Sequence, residues 1–191
     1  MLLYIHGFNS SPKSEKGVLT ANFLASQFPG VRLLQPQLPS DIDEAAKLLA
    51  DLTQEARERG EPLRFIGSSL GGFYATWLAE TFGGKAALIN PAVSPYDLFE
   101  EFLGPQHNPY TDEHYQVLPE HREALKSYDV EAIANPDRFF VLLQTGDEVL
   151  DYRLALDKYH CCRMLIEPGG DHSFVGFERQ LPDIAAFLEL P

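Results

Sequence analysis

The segment Leu63-Arg64-Phe65-Ile66-Gly67-Ser68-Ser69-Leu70-Gly71-Gly72 determines how the chain can fold. Its first four residues form a mostly apolar run that is typical of a buried strand, and the residues from Leu70 onward predict a helix. Residues 67–71 between them match the pattern G-x-S-x-G. In a strand-turn-helix context this pattern predicts a tight turn that presents Ser69. Glycine is needed on both sides of Ser69 because a Cβ there would collide with the neighbouring strand and helix.

Outward from this turn, short apolar runs alternate with stretches of helical character. The runs predict strands at residues 2–5, 31–34, 63–66, 86–89, 139–143 and 163–166. Helices are expected at about residues 14–28, 41–59, 70–82, 152–159 and 182–188. Ser40 is the expected N-cap of the second helix. Strands that alternate with helices in this way predict a parallel sheet with helices on both faces.

Residues 91–136 interrupt this alternation. The segment is rich in proline, which predicts short helices and loops. We interpret it as an insertion within a single domain that spans residues 1–191. Two of its aromatic residues, Phe102 and Tyr110, are candidates for binding substrate from a lid. Local packing of the insertion onto the core is the alternative.

A serine hydroxyl is a poor nucleophile and needs a base, which in turn needs an orienting acid. His172 lies in a glycine-rich loop after the last predicted strand, and Asp147 directly follows the strand at 139–143. We therefore expect Ser69, His172 and Asp147 to be the catalytic residues. Asp151 is the rival acid, although it stands where a helix N-cap is expected. Glu148 is expected to be solvated.

The oxyanion of an acyl-transfer reaction needs two backbone N–H donors. The amide of Leu70 follows the nucleophile, and the amide of Phe8 lies in the loop after the first strand, so these two are the predicted donors. Gly7 permits a close approach of backbone or substrate at the same place. His6 is expected to support the loop. The other histidines, at positions 107, 114, 121 and 160, are interpreted as surface residues.

Composition excludes several classes of partner. The formal net charge of −13 argues against nucleic acids and anionic membranes, both of which attract basic surfaces. No apolar run reaches the roughly 18 residues of a membrane helix, and the first residues show no basic segment or cleavage site, so a cytoplasmic protein with no membrane span is expected.

No metal site or cofactor is expected from the sequence. The only cysteines, Cys161 and Cys162, are neighbours and predict no disulfide. The expected partner is therefore a small molecule, and the oligomeric state is left open. Three basic residues that border the predicted site, Arg153, Lys158 and Arg163, are either a patch that attracts an anionic substrate or ordinary surface residues.

Several of these motifs are found together in a known superfamily. His6-Gly7-Phe8, the turn at 67–72, Gly146-Asp147-Glu148-Val149 and Gly170-Asp171-His172 resemble an α/β hydrolase. More narrowly, residues 6–12, Ile89-Asn90-Pro91-Ala92 and residues 143–148 resemble the small bacterial YqiA-like esterase family, and the likeness covers essentially the whole chain.

The resemblance implies both a fold and an activity. The fold is a single-domain α/β-hydrolase fold with a mostly parallel sheet of about six strands. It lacks the first two strands of the larger fold and carries its insertion after the fourth strand. The implied activity is hydrolysis of carboxylic esters, or of acyl thioesters such as acyl-CoA.

Other functions stay open from the sequence alone. An acyltransferase or a small peptidase would use the same three residues, and a binding protein can keep the fold without chemistry. A dehalogenase would need a carboxylate in place of Ser69. The complete set of Ser69, Asp147 and His172 favours an enzyme.

Overall fold

A sheet of six strands forms the centre of the computed structural model, which describes residues 1–191. In chain order the strands and helices are β1 (Leu2–Ile5), α1 (Glu15–Gln27), β2 (Leu33–Leu34), α2 (Ile42–Glu58), β3 (Arg64–Ser68), α3 (Leu70–Phe82), β4 (Lys85–Ile89), β5 (Gly104–Asn108), β6 (Glu113–Val117), α4 (Glu120–Lys126), β7 (Phe139–Gln144), α5 (Tyr152–Lys158), β8 (Arg163–Glu167) and α6 (Leu181–Phe187). None of the helices combines the length and the apolar character that crossing a membrane requires.

The strands of the central sheet lie in the order β2-β1-β3-β4-β7-β8, and every neighbouring pair is parallel. This confirms the predicted six-strand parallel sheet. In a parallel sheet all carboxyl ends meet at one edge, which is where ligands bind in such folds. The loops after β1, β3, β7 and β8 therefore converge there.

Both faces of the sheet are covered by helices, as predicted. Side chains alternate along each strand. Leu3 and Ile5 of β1 belong to a larger core beneath α2, α3 and α5. Leu2 and Tyr4 belong to a second core beneath α1 and α6. Because the central strands are buried on both faces of the sheet, their sequences are continuous apolar runs.

The two edge strands differ from the prediction. β2 contains only Leu33 and Leu34, both half-buried, instead of a buried strand at 31–34. β8 forms as expected, but Ile166 is 42% exposed. An edge strand has a neighbour on one side only, so its apolar residues are not all covered.

The N-cap of α2 also differs from the prediction. The helix begins one residue later than expected, so Asp41 is the cap and accepts a hydrogen bond from the Glu44 amide at 2.9 Å. Ser40 instead donates to the carboxylate of Glu113.

The segment 91–136 contains an element that the sequence analysis missed. Between short 3₁₀ turns and α4, the strands β5 and β6 pair as an antiparallel hairpin. The prediction of helices and loops alone was wrong, because proline was interpreted as excluding strands. Pro105 lies in an isolated two-stranded ribbon, where a missing N–H donor is tolerated.

Candidate active site

Ser69 lies in a strained turn between β3 and α3. Its φ is +55° and its ψ is −120°, a conformation that residues other than glycine rarely adopt. A Cβ on Gly67 would collide with the Gly71 carbonyl, and one on Gly71 would collide with the Ile5 carbonyl of β1. The two glycines therefore allow β1, β3 and α3 to pack closely enough to hold Ser69 in this strained turn.

His172 connects Ser69 to Asp147. The imidazole Nε2 lies 3.1 Å from the Ser69 Oγ, and its Nδ1 lies 2.8 Å from Oδ2 and 3.0 Å from Oδ1 of Asp147. Ser69 follows β3, Asp147 lies in the loop after β7, and His172 lies in the loop after β8. The Asp147 side chain is 1% exposed, whereas 23% of the His172 side chain is exposed. The three side chains thus form a continuous hydrogen-bonded series, with the His172 imidazole in the middle and partly open to solvent.

The environment of Asp147 favours its charged form. Burial raises the pKa of this carboxyl, but hydrogen bonds from His172 and from the Leu150 and Val149 amides outweigh burial and bring the pKa below its ordinary value of 3.8. The two amides lie 2.8 and 2.9 Å from Oδ1. Asp147 is therefore ionised at neutral pH and held in a fixed orientation.

The other two acidic candidates have different contacts. Asp151 is the N-cap of α5, and its carboxylate pairs with the Arg153 guanidinium at 2.7 Å. Glu148 accepts a hydrogen bond from the backbone N–H of His172 at 2.9 Å. It is exposed, as expected, but it also fixes the loop that carries the imidazole.

The loop after β1 brings the Phe8 amide to the site. No protein acceptor takes a hydrogen bond from this N–H. The Leu70 amide, at the first position of α3, likewise lacks a partner within the helix. A Cβ on Gly7 would lie 3.2 Å from the Ser69 Cβ, so only glycine fits there without displacement.

His6 fixes that loop. Its Nε2 accepts the Leu38 amide at 3.0 Å, so the proton sits on Nδ1, which donates to the Gly7 carbonyl at 2.9 Å. The Gly7 carbonyl and the Phe8 N–H belong to one trans peptide and point in opposite directions. Burial lowers the pKa of His6, which keeps the ring neutral.

Asn90 and Gln144 hold the His172 loop, a role that no sequence pattern predicts for either residue. The Asn90 amide group donates to the carbonyls of Asp171 and His172 at 3.0 and 3.3 Å and accepts the Gln144 amide at 3.0 Å. The Gln144 side chain accepts the amides of Asp171 and Val175. Both side chains are almost fully buried. The only sequence signal was their presence in the two segments that resemble the esterase family.

Two clefts meet at Ser69, and we name them by their lining. The apolar cleft has a volume of about 240 Å³, and the polar cleft has about 250 Å³. Phe102, predicted to bind substrate, lies in the apolar cleft. Gly7 and Tyr110, predicted for the same role, lie in the polar cleft. Phe8, Ser69 and His172 line both clefts.

The hairpin of the insertion is fastened to the loop that carries Phe8. The Tyr115 hydroxyl donates to the Asn9 side chain at 2.6 Å, and the Asn9 amide group donates to Gln106 at 3.1 Å. Asn108 donates to the Ser10 carbonyl at 3.0 Å. The insertion therefore contributes to the geometry of the site as well as to its walls.

The remaining histidines differ in position. His160 is exposed, as expected. His121 is half-buried and lines the apolar cleft, and its Nδ1 accepts a hydrogen bond from the Leu118 amide at 3.1 Å. His107 and His114 are exposed cross-strand partners in the hairpin. Together with Asp112 they place possible metal-ligating atoms within 4.8 Å of one another.

The three basic residues near the site do not form a patch. Arg153 pairs with Asp151, Lys158 pairs with Asp129, and the Arg163 guanidinium stacks on the Phe140 ring at 4.3 Å. Each of these cations already has an internal partner. These partners disfavour a patch for an anionic substrate. The alternative of ordinary surface residues fits Arg153, whose side chain is 74% exposed, but not Lys158, whose side chain is only 11% exposed.

Comparisons with known proteins agree with this architecture. An esterase from Pyrococcus furiosus superposes with a TM-score of 0.64 at 13% identity, over 98% of this chain and 80% of its own. A monoacylglycerol lipase from Paleococcus ferrophilus gives 0.68 at 15% identity, over 100% and 94%. These likenesses show the α/β-hydrolase fold. A UPF0227 protein of Serratia proteamaculans is 28% identical over the full length of both chains. Residues 1–189 match the model of one family, and the chain belongs to it: UPF0227, described as an uncharacterised protein family.

Proposed function

We propose that this protein is a serine hydrolase that cleaves carboxylic esters through an acyl-enzyme. One observation carries the proposal: His172 lies at hydrogen-bonding distance from Ser69 on one side and from Asp147 on the other. This is the arrangement that activates a serine hydroxyl on several unrelated folds. The names of the esterase and the lipase with the same fold are consistent with it.

The mechanism follows from the geometry. Ser69 Oγ attacks the ester carbonyl while His172 Nε2 takes its proton. The amides of Phe8 and Leu70 donate to the oxyanion of the tetrahedral intermediate. Asp147 keeps the other imidazole proton on Nδ1 and stabilises the imidazolium. His172 then gives its proton to the departing alkoxide, which leaves the acyl group on Ser69.

The second half of the reaction uses the same groups. His172 takes a proton from water, which attacks the acyl carbonyl, and the carboxylic acid is released as Ser69 regains its proton. Thioesters, including acyl-CoA, would follow the same steps with a thiolate as leaving group. No metal or cofactor enters the reaction we propose.

The test is active-site labelling together with turnover. A fluorophosphonate should label one residue, and Ser69→Ala should abolish that label. Ser68→Ala, which changes the adjacent serine, should keep it. Hydrolysis of 4-nitrophenyl esters by Ser69→Ala should fall by at least about 10³-fold, as expected when a nucleophile is removed. Labelling or turnover that survives in Ser69→Ala would refute the proposal.

A further inference from the structure

The two clefts that meet at Ser69 have opposite chemistry. The apolar cleft is walled by aliphatic and aromatic side chains from α2 and from the insertion, including its elements β6 and α4. The polar cleft is lined by residues that mostly carry hydrogen-bonding side chains, among them Tyr4, Ser10, Ser14, Glu15, Lys16, Tyr110 and Ser173. A substrate whose ester group lies at Ser69 extends into both clefts. Its two halves should therefore differ in polarity.

Hydroxyl groups dominate the polar cleft. Burial raises the pKa of Tyr4 to about 12, so its phenol stays protonated and can both donate and accept a hydrogen bond. The serine hydroxyls and the phenol of Tyr110 have the same double capacity. Glu15 adds an acceptor and Lys16 adds a donor. The cleft thus offers hydrogen-bond donors and acceptors side by side. Such a lining suits a ligand group that can itself both donate and accept hydrogen bonds.

Charge argues against an anionic ligand. The Lys16 ammonium donates to the Ser173 carbonyl at 2.8 Å, and no carboxylate lies within 4.0 Å of it in an ion pair. Three carboxylates nevertheless act on Lys16 electrostatically, those of Glu15, Asp171 and Asp147. The protein as a whole carries a formal charge of −13. One cation surrounded by these charges does not make the cleft attractive to an anion at long range.

We propose that the polar cleft binds a neutral, hydroxyl-rich group of about the size of glycerol, while the apolar cleft takes an alkyl chain of the same ester. This inference rests on the proposed esterase function and narrows its substrate class to amphipathic esters of a small polyol or polyhydroxy acid. The volume of about 250 Å³ lies below the roughly 300–1,000 Å³ of sites for drug-sized ligands, as a small group requires.

The experiment compares kcat/KM for matched esters. Glyceryl 1-monobutyrate places the hydroxyls on the alcohol, butyl glycerate places them on the acid, and butyl butyrate has none. The wild-type protein should prefer at least one of the hydroxylated esters over butyl butyrate by about tenfold or more. In Lys16→Met that preference should fall at least fivefold. A displaced His172 loop would slow all three esters together, so the ratio isolates the contact with the hydroxyls.

Lys13→Met is the matched control, because Lys13 is an exposed lysine outside both clefts. It should keep the wild-type ratio. The proposal is overturned if butyl butyrate is the best substrate, or if Lys16→Met keeps the preference. It is also overturned if the anionic ester 3-(butyryloxy)propanoate is preferred to glyceryl monobutyrate. In that case the polar cleft would favour a negatively charged group over a neutral hydroxylated one.

A binding measurement separates this inference from the esterase proposal. The ether 3-butoxypropane-1,2-diol has no ester bond to hydrolyse, and its affinity can be measured by calorimetry. It should bind the wild-type protein at least tenfold more tightly than Lys16→Met. Binding with this difference but without ester turnover would refute only the esterase proposal. Equal affinity for the two proteins would refute the polyol site even in an active esterase.

Discussion

Replacing Asn90 with alanine tests whether the His172 loop is held in place from β4. The substitution removes two hydrogen bonds to the carbonyls of Asp171 and His172 and leaves the buried Gln144 N–H without its acceptor. An unsatisfied buried group costs about 1–3 kcal/mol. Asn90 also has a φ of +40°, which costs alanine about 1 kcal/mol more. We expect the free energy of unfolding to fall by roughly 2–4 kcal/mol.

The effect on activity should separate positioning from general destabilisation. Measured well below the melting temperature, kcat for a 4-nitrophenyl ester should fall at least tenfold with KM little changed, because the substrate clefts stay intact while the imidazole is displaced. Asn22→Ala, on the exposed side of α1, is the matched control and should leave kcat and stability close to wild type. A destabilised Asn90→Ala that keeps kcat within twofold would show that Gln144 alone holds the loop.

Three further predictions test other parts of the site. Asp147→Asn should reduce kcat by up to ~10⁴-fold by favouring the wrong imidazole tautomer. Asp151→Asn should lower only the stability that the helix cap contributes. A larger loss of kcat in Asp151→Asn than in Asp147→Asn would refute the choice of acid. Burial lowers the pKa of His6, so below about pH 6.5 the imidazole takes up a proton in the unfolded protein but not in the folded one. The free energy of unfolding should therefore decline as the pH falls below that value. In His6→Gln, the free energy of unfolding should depend less on pH over the same range. Phe102→Ala should raise kcat/KM for longer acyl chains relative to butyrate by about fourfold per added CH₂ that reaches the vacated space. A uniform loss across chain lengths would indicate a packing role instead.

The turn at Ser69 was predictable because a short pattern in a strand-turn-helix context marks it. The contact that requires Gly67 lies within the turn itself, whereas Gly71 is required by the approach of the neighbouring strand β1. Asp147 was also chosen for a local reason, its place after a buried strand, and the structure puts it rather than Asp151 next to His172. Elements whose position follows from short stretches of chain were thus expected with nearly correct bounds.

Features that depend on distant partners were not predictable in the same way. Asn90 contacts residues 54 and 82 positions later in the chain, and no local pattern encodes such contacts. The hairpin of β5 and β6 lacks a regular apolar alternation. Two of its side chains, those of Gln106 and Tyr115, form hydrogen bonds with Asn9 across about 100 residues of sequence. Tertiary contacts therefore outweighed the local preference for loops.

The same contacts limit how the insertion can move. A lid that opens as one body has to separate the hairpin from the loop that carries Phe8. That movement would break the hydrogen bonds of Tyr115 and Gln106 with Asn9 and of Asn108 with Ser10. The Phe8 and Phe102 rings, 5.3 Å apart, would separate as well. Opening the hairpin would thus release the loop that supplies one of the two proposed oxyanion donors. We therefore expect the insertion to stay in place over the apolar cleft during turnover and not to open as a lid.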